Sequence, residues 1–204
     1  PSSAIDIDGV NDRIIVPDDS SIDLTTTFTI ETWINSDVNA DDGILSKPGA
    51  YEIALYLQNI YFGTDLSWHL VGAVIPAGQW HHIAITYNAG GPAPQLKMYQ
   101  NGTLVASANR TIPYPNSAGT LRFGEYSGTY QYDGQLDEVR FWDYARSATE
   151  ISSNINTCYN GNATGLVADW DFNGSAGQTI LTDNTPNGND GVLTNMDPSS
   201  AWVT

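Results

Sequence analysis

The sequence predicts an all-β fold, a sandwich or barrel of short antiparallel strands. About a dozen short segments alternate apolar and polar residues, with turn residues between them. The acids are mostly Asp, 18 against 5 Glu, and Asp favours turns and caps over helix interiors. A single stretch has helical spacing.

Taken in order, Ala4–Asp8 (AIDID) alternates and reaches Arg13–Val16 through Gly9-Val-Asn-Asp, a turn rich in acid and amide oxygens. A second turn at Pro17 leads to Thr27–Asn35. There Phe28, Ile30 and Ile34 share one face, and Glu31 and Trp33 the other. After the polar loop Asp37–Asp42, Gly43–Lys47 and Tyr51–Leu57 form a hairpin across Pro48-Gly49. Ile60–Gly63, Trp68–Ile75 and Trp80–Tyr87 are further strands. Gln95–Gln100 and Thr103–Ala108 flank Asn101-Gly102, the strongest two-residue hairpin signal. Thr120–Gly124, Tyr130–Asp133 and Gly134–Trp142 follow. Ser147-Ala-Thr-Glu150 is a capping box, and Ala148, Ile151 and Ile155 lie on one helical face. Leu166–Phe172 returns to strand. The oxygen-rich loop Thr182–Gly191 precedes Val192–Thr194 and a last segment ending at Trp202. No shift of composition marks a boundary, so residues 1–204 are read as a single domain.

Gly134–Trp142 (GQLDEVRFW) places two acids inside a strand. Strict alternation puts Leu136, Glu138, Arg140 and Trp142 on one face. Asp137, Val139 and Phe141 then share the core face, where an acid needs a partner because an unpaired buried charge is costly. A metal ion, Arg140 or Arg122 could supply it. Glu138, on the face with Arg140, is expected to form a cross-strand ion pair, not to serve as a catalytic acid.

The net charge is −16, from 23 acids against 7 Lys+Arg. That excludes nucleic acid and insertion into an anionic membrane, since both need basic surface. No apolar run is long enough to span a bilayer. The one cysteine, Cys158, excludes an internal disulfide and a zinc-type Cys cluster. The start at Pro1 is read as an excised domain or a processed chain, and neighbouring domains of a larger chain are expected partners.

In this order, Ile5-Asp-Ile-Asp-Gly-Val-Asn-Asp, Phe28-Thr-Ile-Glu-Thr-Trp-Ile, Ile44-Leu-Ser-Lys, Gly78-Gln-Trp-His-His, Lys97-Met-Tyr-Gln-Asn-Gly, Gly134–Trp142 and Gly165-Leu-Val-Ala-Asp-Trp-Asp-Phe carry a resemblance. Together they resemble the laminin-G-like branch of the concanavalin A-like lectin/glucanase superfamily, above all its modules in secreted and cell-surface bacterial proteins. The resemblance implies a two-sheet antiparallel jelly-roll sandwich with one short helix. It also implies a structural calcium between the N-terminal segment and the strand with the Asp-Glu pair. That nominates Asp8 and Asp137, with Asn11 and Asp12 as further oxygen donors. Calcium takes about 6–8 oxygens. The oxygen-rich loop Asp183–Asp190 could hold an ion by itself, but is read as a solvated turn.

Glucanases of this superfamily carry acids in a Glu-x-Asp-x-x-Glu arrangement, and retaining glycoside hydrolysis needs two carboxyls about 5–5.5 Å apart. No Glu-x-Asp occurs here, and His81 and His82 face opposite ways in a strand. No Gly-x-Ser-x-Gly elbow occurs either. The chain is therefore not expected to be an enzyme.

Sugar binding needs exposed aromatic faces and a few fixed polar groups. Two stretches can supply them: Tyr61, Asp65, Trp68 and His69, and Tyr126, Tyr130 and Tyr132. The expected function is a calcium-stabilised carbohydrate-binding or adhesion module of a secreted or cell-surface protein, with a glycan as ligand. The alternatives are a protein-binding or spacer domain of an adhesin, and an atypical glycan-active hydrolase.

Overall fold

The computed structural model describes residues 3–37, 42–64 and 66–204. The first half of the chain forms β1 (Ala4–Asp8), β2 (Arg13–Val16), β3 (Thr27–Ser36), β4 (Asp42–Lys47), β5 (Tyr51–Tyr56), β6 (Asn59–Thr64), β7 (Ser67–Val74), β8 (His81–Asn88) and β9 (Leu96–Gln100). Then come β10 (Thr103–Ala108), β11 (Leu121–Phe123), β12 (Glu125–Tyr126), β13 (Tyr130–Gln131), β14 (Asp133–Trp142) and the helix α1 (Ala148–Ser153). The chain closes with β15 (Leu166–Trp170), β16 (Ile180–Leu181), β17 (Gly191–Thr194) and β18 (Trp202–Val203).

These strands build the predicted antiparallel jelly-roll sandwich. One sheet runs β10-β9-β8-β3-β14-β1-β18, with β15 also paired to β14. The other runs β16-β17-β2-β11-β4-β5-β6-β7, and β12 and β13 form a separate hairpin. Alternation explains the layers. Phe28, Ile30 and Ile34 of β3 meet Tyr51, Ile53, Phe62 and Phe123 of the opposite sheet in one core. Asn101 and Gly102 both have positive φ, as the primed turn between β9 and β10 requires. Ser147 caps α1 in a capping box, and Ile151 packs on Ala84 and Tyr99. The helix is one turn shorter than its spacing suggested, so Ile155 lies beyond it.

Strand β14 departs from strict alternation. Leu136, Val139 and Phe141 all enter the core. A β-bulge lies between Asp137 and Arg140 in the pairing with β3, and Glu138 sits at φ +52°. The extra residue resets the parity, so Asp137 does not share a face with Val139 and Phe141. It lies instead across from Trp33 on the outer face, with Arg140 and Trp142.

That outer face is roofed by the segment 143–165 and carries a buried polar layer. Arg146 pairs with Glu31 and lies over the Trp142 ring at 4.3 Å. His82 Nε2 is 3.5 Å from the other Glu31 oxygen. Arg140 pairs with Glu138 of its own strand, where a cross-strand partner was expected, and with Asp169 at 3.5 Å. Asp137 is only 3% exposed, and its Oδ1 has no hydrogen-bond partner among the described residues. Burial, and then the charge of Glu138, push its carboxyl from the ordinary 3.8 up to about 7.

Two more charged groups are buried with full compensation. Lys47, wholly buried, donates to Asp18 at 2.6 Å and to Asp23 at 2.8 Å. Asp183 is not part of a solvated turn. Its Oδ1 accepts the amides of Asp169 and Thr185, and its Oδ2 accepts the Thr185 hydroxyl and the Asn189 amide and side chain. A carboxylate with five donors is saturated, and the loop folds around it instead of around solvent.

Two predictions follow from these buried acids. Asp183→Ala orphans several buried donors at about 1–3 kcal/mol each, so a loss of about 3 kcal/mol or more is expected in urea denaturation. Asp137 binds a proton in the folded state between pH 3.8 and about 7 that the unfolded chain has released. Its contribution is therefore fully present below the lower value and lost as pH rises through the upper one. Asp137→Asn should flatten the fall of Tm across that window and raise Tm above it; an unchanged pH profile would contradict this.

Candidate functional site

The first stretch expected to bind a ligand is built by alternation on the β5-β6-β7 meander. Ala54 pairs with Tyr61, and Gly63 with Trp68. Tyr56, two residues after Ala54, therefore shares a face with Tyr61, and Trp68 lies diagonal to Tyr61. The ring centroids of Tyr56 and Tyr61 are 5.8 Å apart, and those of Tyr61 and Trp68 are 5.5 Å apart. Both contacts are edge-to-face.

The second stretch completes the row. Tyr126 of β12 pairs with Tyr130 of β13, and their rings stack at 5.4 Å with 20° between planes. Tyr126 in turn lies 5.6 Å from Trp68. The hairpin is seated by Ser46, whose hydroxyl donates to the Glu125 carbonyl at 2.8 Å. Below it, the Glu125 carboxylate takes Arg13 at 3.3 Å and Arg122 at 2.6 Å. Gly43 lies directly under Tyr126, and a Cβ there would overlap the Tyr126 backbone nitrogen.

Five rings thus form a continuous row, Tyr56, Tyr61, Trp68, Tyr126 and Tyr130, around a cavity of about 300 Å³. Tyr56 is 47% exposed, Trp68 39% and Tyr130 43%. Asp42, at the start of β4, is the one charged side chain lining the cavity among the described residues. Sequence reasoning missed Tyr56 and Asp42. Tyr56 was legible in principle, because alternation along β5 turns it outward beside Tyr61. Asp42 was hidden in a loop of similar acids.

Two expected members belong elsewhere. His69 follows Trp68 in β7 and points to the opposite side. Its ring packs on Tyr114, and Arg110 lies 3.3 Å from Nε2. Arg110 can only donate, so Nε2 accepts and Nδ1 donates to the Tyr114 hydroxyl at 3.1 Å. Burial, and then Arg110, lower the His69 pKa. Tyr132 is wholly buried in the core. The chain leaves the β12–β13 hairpin before Tyr132, whose amide donates to Gly124 and whose hydroxyl donates to the Gln135 carbonyl. Asp65 lies outside the described residues.

The four donors expected for calcium do not meet. Asp8 pairs with Asp133 across β1 and β14, whereas the pairing reaches Leu136 only at Ile5. Asp137 is thus four residues along β14 from Asp8's partner, about 13 Å at strand rise. Asp8 accepts the amides of Val10 and Asn11 and so closes its own turn. The Asn11 carbonyl accepts Arg13 and Asn195. Asp12 is buried, and burial followed by the Asp8 charge raises its carboxyl. Among the described residues no group of three or more His, Cys, Asp or Glu side chains is placed to hold a metal ion. These residues do not fit a calcium joining Asp8 to Asp137.

A second cavity, of about 280 Å³, lies on the outer face of the other sheet, where Asp137 and Glu138 stand beside Arg140 and Cys158. Its two acids are neighbours on one bulge, and it shares no lining residue with the aromatic groove. No described helix is long and apolar enough to cross a membrane.

Among solved structures, a candidate carbohydrate binding protein from Bacteroides ovatus is similar, with a TM-score of 0.79 at 20% identity over 95% of this chain and 58% of that one. Domain 4 of AbnA, an extracellular arabinanase from Geobacillus stearothermophilus, solved with arabinotriose, gives 0.55 at 19% identity over 69% of this chain and 71% of that one. At such identities the likeness shows the fold alone. Mouse pappalysin-1 is 28% identical over 85 residues, 39% of this chain and 5% of that protein. The chain thus spans only a small part of this curated relative's length. Residues 8–152, well over half of the sequence, match the model of one family. The chain belongs to the Laminin_G_3 family of the concanavalin A-like lectin/glucanases superfamily.

Proposed function

We propose that the chain is a non-catalytic carbohydrate-binding module of an extracellular protein, and that the five-ring groove is its binding surface. The observation that carries this reading is the row itself. Aromatic side chains normally hide their faces in a core, yet in this row three of the five, Tyr56, Trp68 and Tyr130, are exposed, with the half-buried Tyr61 and Tyr126 between them. Aromatic faces complement the C–H faces of sugar rings, and a neighbouring carboxylate such as Asp42 accepts hydroxyls. A cavity of about 300 Å³ is at the small end of ligand sites. The Bacteroides ovatus relative and the arabinotriose-bound domain support a sugar as the ligand class, and the latter belongs to an extracellular enzyme.

A spacer domain would bury these rings, so the exposed row favours binding over mere support. A hydrolase would need its acids beside the sugar. The Asp137–Glu138 pair lies on the opposite sheet from the groove, out of reach of a chain stacked there. The reading does not depend on calcium.

Trp68 stands at the centre of the row, so Trp68→Ala should weaken retention on a responsive polysaccharide at least tenfold, about 1.4 kcal/mol, with Tm little changed. Equal binding by the variant in affinity electrophoresis would remove the groove from consideration. Gly43→Ala should also reduce binding, because the added methyl displaces the backbone under Tyr126. In that variant the loss should come with altered tyrosine fluorescence but an intact far-UV spectrum.

A further inference from the structure

Resting on the reading of the groove as a sugar site, we infer that its ligand is an uncharged glycan chain and that uronate-bearing or sulfated glycans are rejected. Binding an anionic polysaccharide requires cations at the contact surface. None of the seven Lys and Arg residues lines the groove. Five of them are already engaged in ion pairs: Arg13 and Arg122 with Glu125, Lys47 with Asp18 and Asp23, Arg140 with Glu138 and Asp169, and Arg146 with Glu31. Among the described residues the one charged side chain lining the groove is Asp42, whose carboxylate repels an anion. Around it stands a molecule of net charge −16, whose field opposes the approach of any polyanion. Among the described residues the groove offers five aromatic rings and no cation, a set that suits neutral sugar faces.

The test pairs neutral polysaccharides with charged derivatives of the same backbone. Hydroxyethylcellulose is set against carboxymethylcellulose, dextran against dextran sulfate, and arabinan and galactomannan against their sulfated forms. Each is run by affinity electrophoresis with the wild type and Trp68→Ala. Binding is compared at about 0.01 M and about 1 M NaCl, where the screening length falls from roughly 30 Å to roughly 3 Å. The expected result is Trp68-dependent binding to at least one neutral polysaccharide that is indifferent to salt. Its anionic derivative should bind at least tenfold more weakly at low salt and recover at high salt. Trp68-dependent binding that favours the anionic member, or that collapses in salt, would overturn the inference and leave the groove reading standing. Absence of binding to every probe, or binding that Trp68→Ala leaves intact, would overturn both.

Discussion

The bulge at Asp137–Glu138 is the constraint on which the sheet built around β3 and β14 depends. β14 runs beside β3 for its whole length, but its other edge is shared. β1 pairs with residues 133–136 and β15 with residues 139–142. The bulge falls at the changeover. One extra residue there keeps Leu136, Val139 and Phe141 all facing the core while the partner strand changes. The cost is a non-glycine residue at positive φ and a run of charge turned onto the outer face. That charge explains the roof. Segment 143–165 brings Arg146 and Tyr159 down onto Glu31 and Trp142, and the Arg140 guanidinium is held between Glu138 and Asp169. Buried polar groups of this kind need near-complete pairing, and among the described residues Asp137 Oδ1, Glu31 Oε2 and Asp169 Oδ1 have no hydrogen-bond partner; burial and then the Glu138 charge push the Asp137 carboxyl up to about 7.

Much of this was legible in the residues. Period-two alternation located most of the strands, Asn101-Gly102 gave its hairpin, and the Ser147 capping box gave the one helix. The two aromatic stretches were picked out as well, and the structure's strand pairing brings Tyr61, Trp68, Tyr126 and Tyr130 of them into one row. The failures have a common cause. His69 and Tyr132 were grouped with their neighbours by closeness in sequence, whereas a strand divides neighbours between its faces, and a break in the strand undoes the count again. Asp137 was assigned a face by unbroken alternation, and a bulge leaves no mark in the letters of a sequence. Asp183 looked like any acid of an Asn/Gly-rich turn, because its five donors become visible only when residues 167–189 close on one another.

The distribution of charge has its own logic. The chain is short of cations and uses most of them inside or at the edges of the sandwich, where each holds one or two acids. Lys47 ties the turn after β2 to β4, and Glu125 draws Arg13 and Arg122 together beneath the hairpin. The surface is left acidic, and the groove is left to dispersion and hydrogen bonding. Its rings come from two separate units, the β5-β6-β7 meander and the β12–β13 hairpin. The contact over Gly43 sets how far apart those units stand.

The family match stops at residue 152, but the fold does not. β15 flanks half of β14, β17 flanks β2, and β18 flanks β1. Trp170 and Phe172 pack on Phe123 in the core. The last quarter of the chain is therefore the closing seam of both sheets. A polypeptide ended at the family boundary would carry every ring of the groove yet expose three strand edges and an open core, the conditions that favour association between chains. The aromatic groove and the strands that close the two sheets are encoded in different parts of the sequence, and only the first part coincides with the family signature.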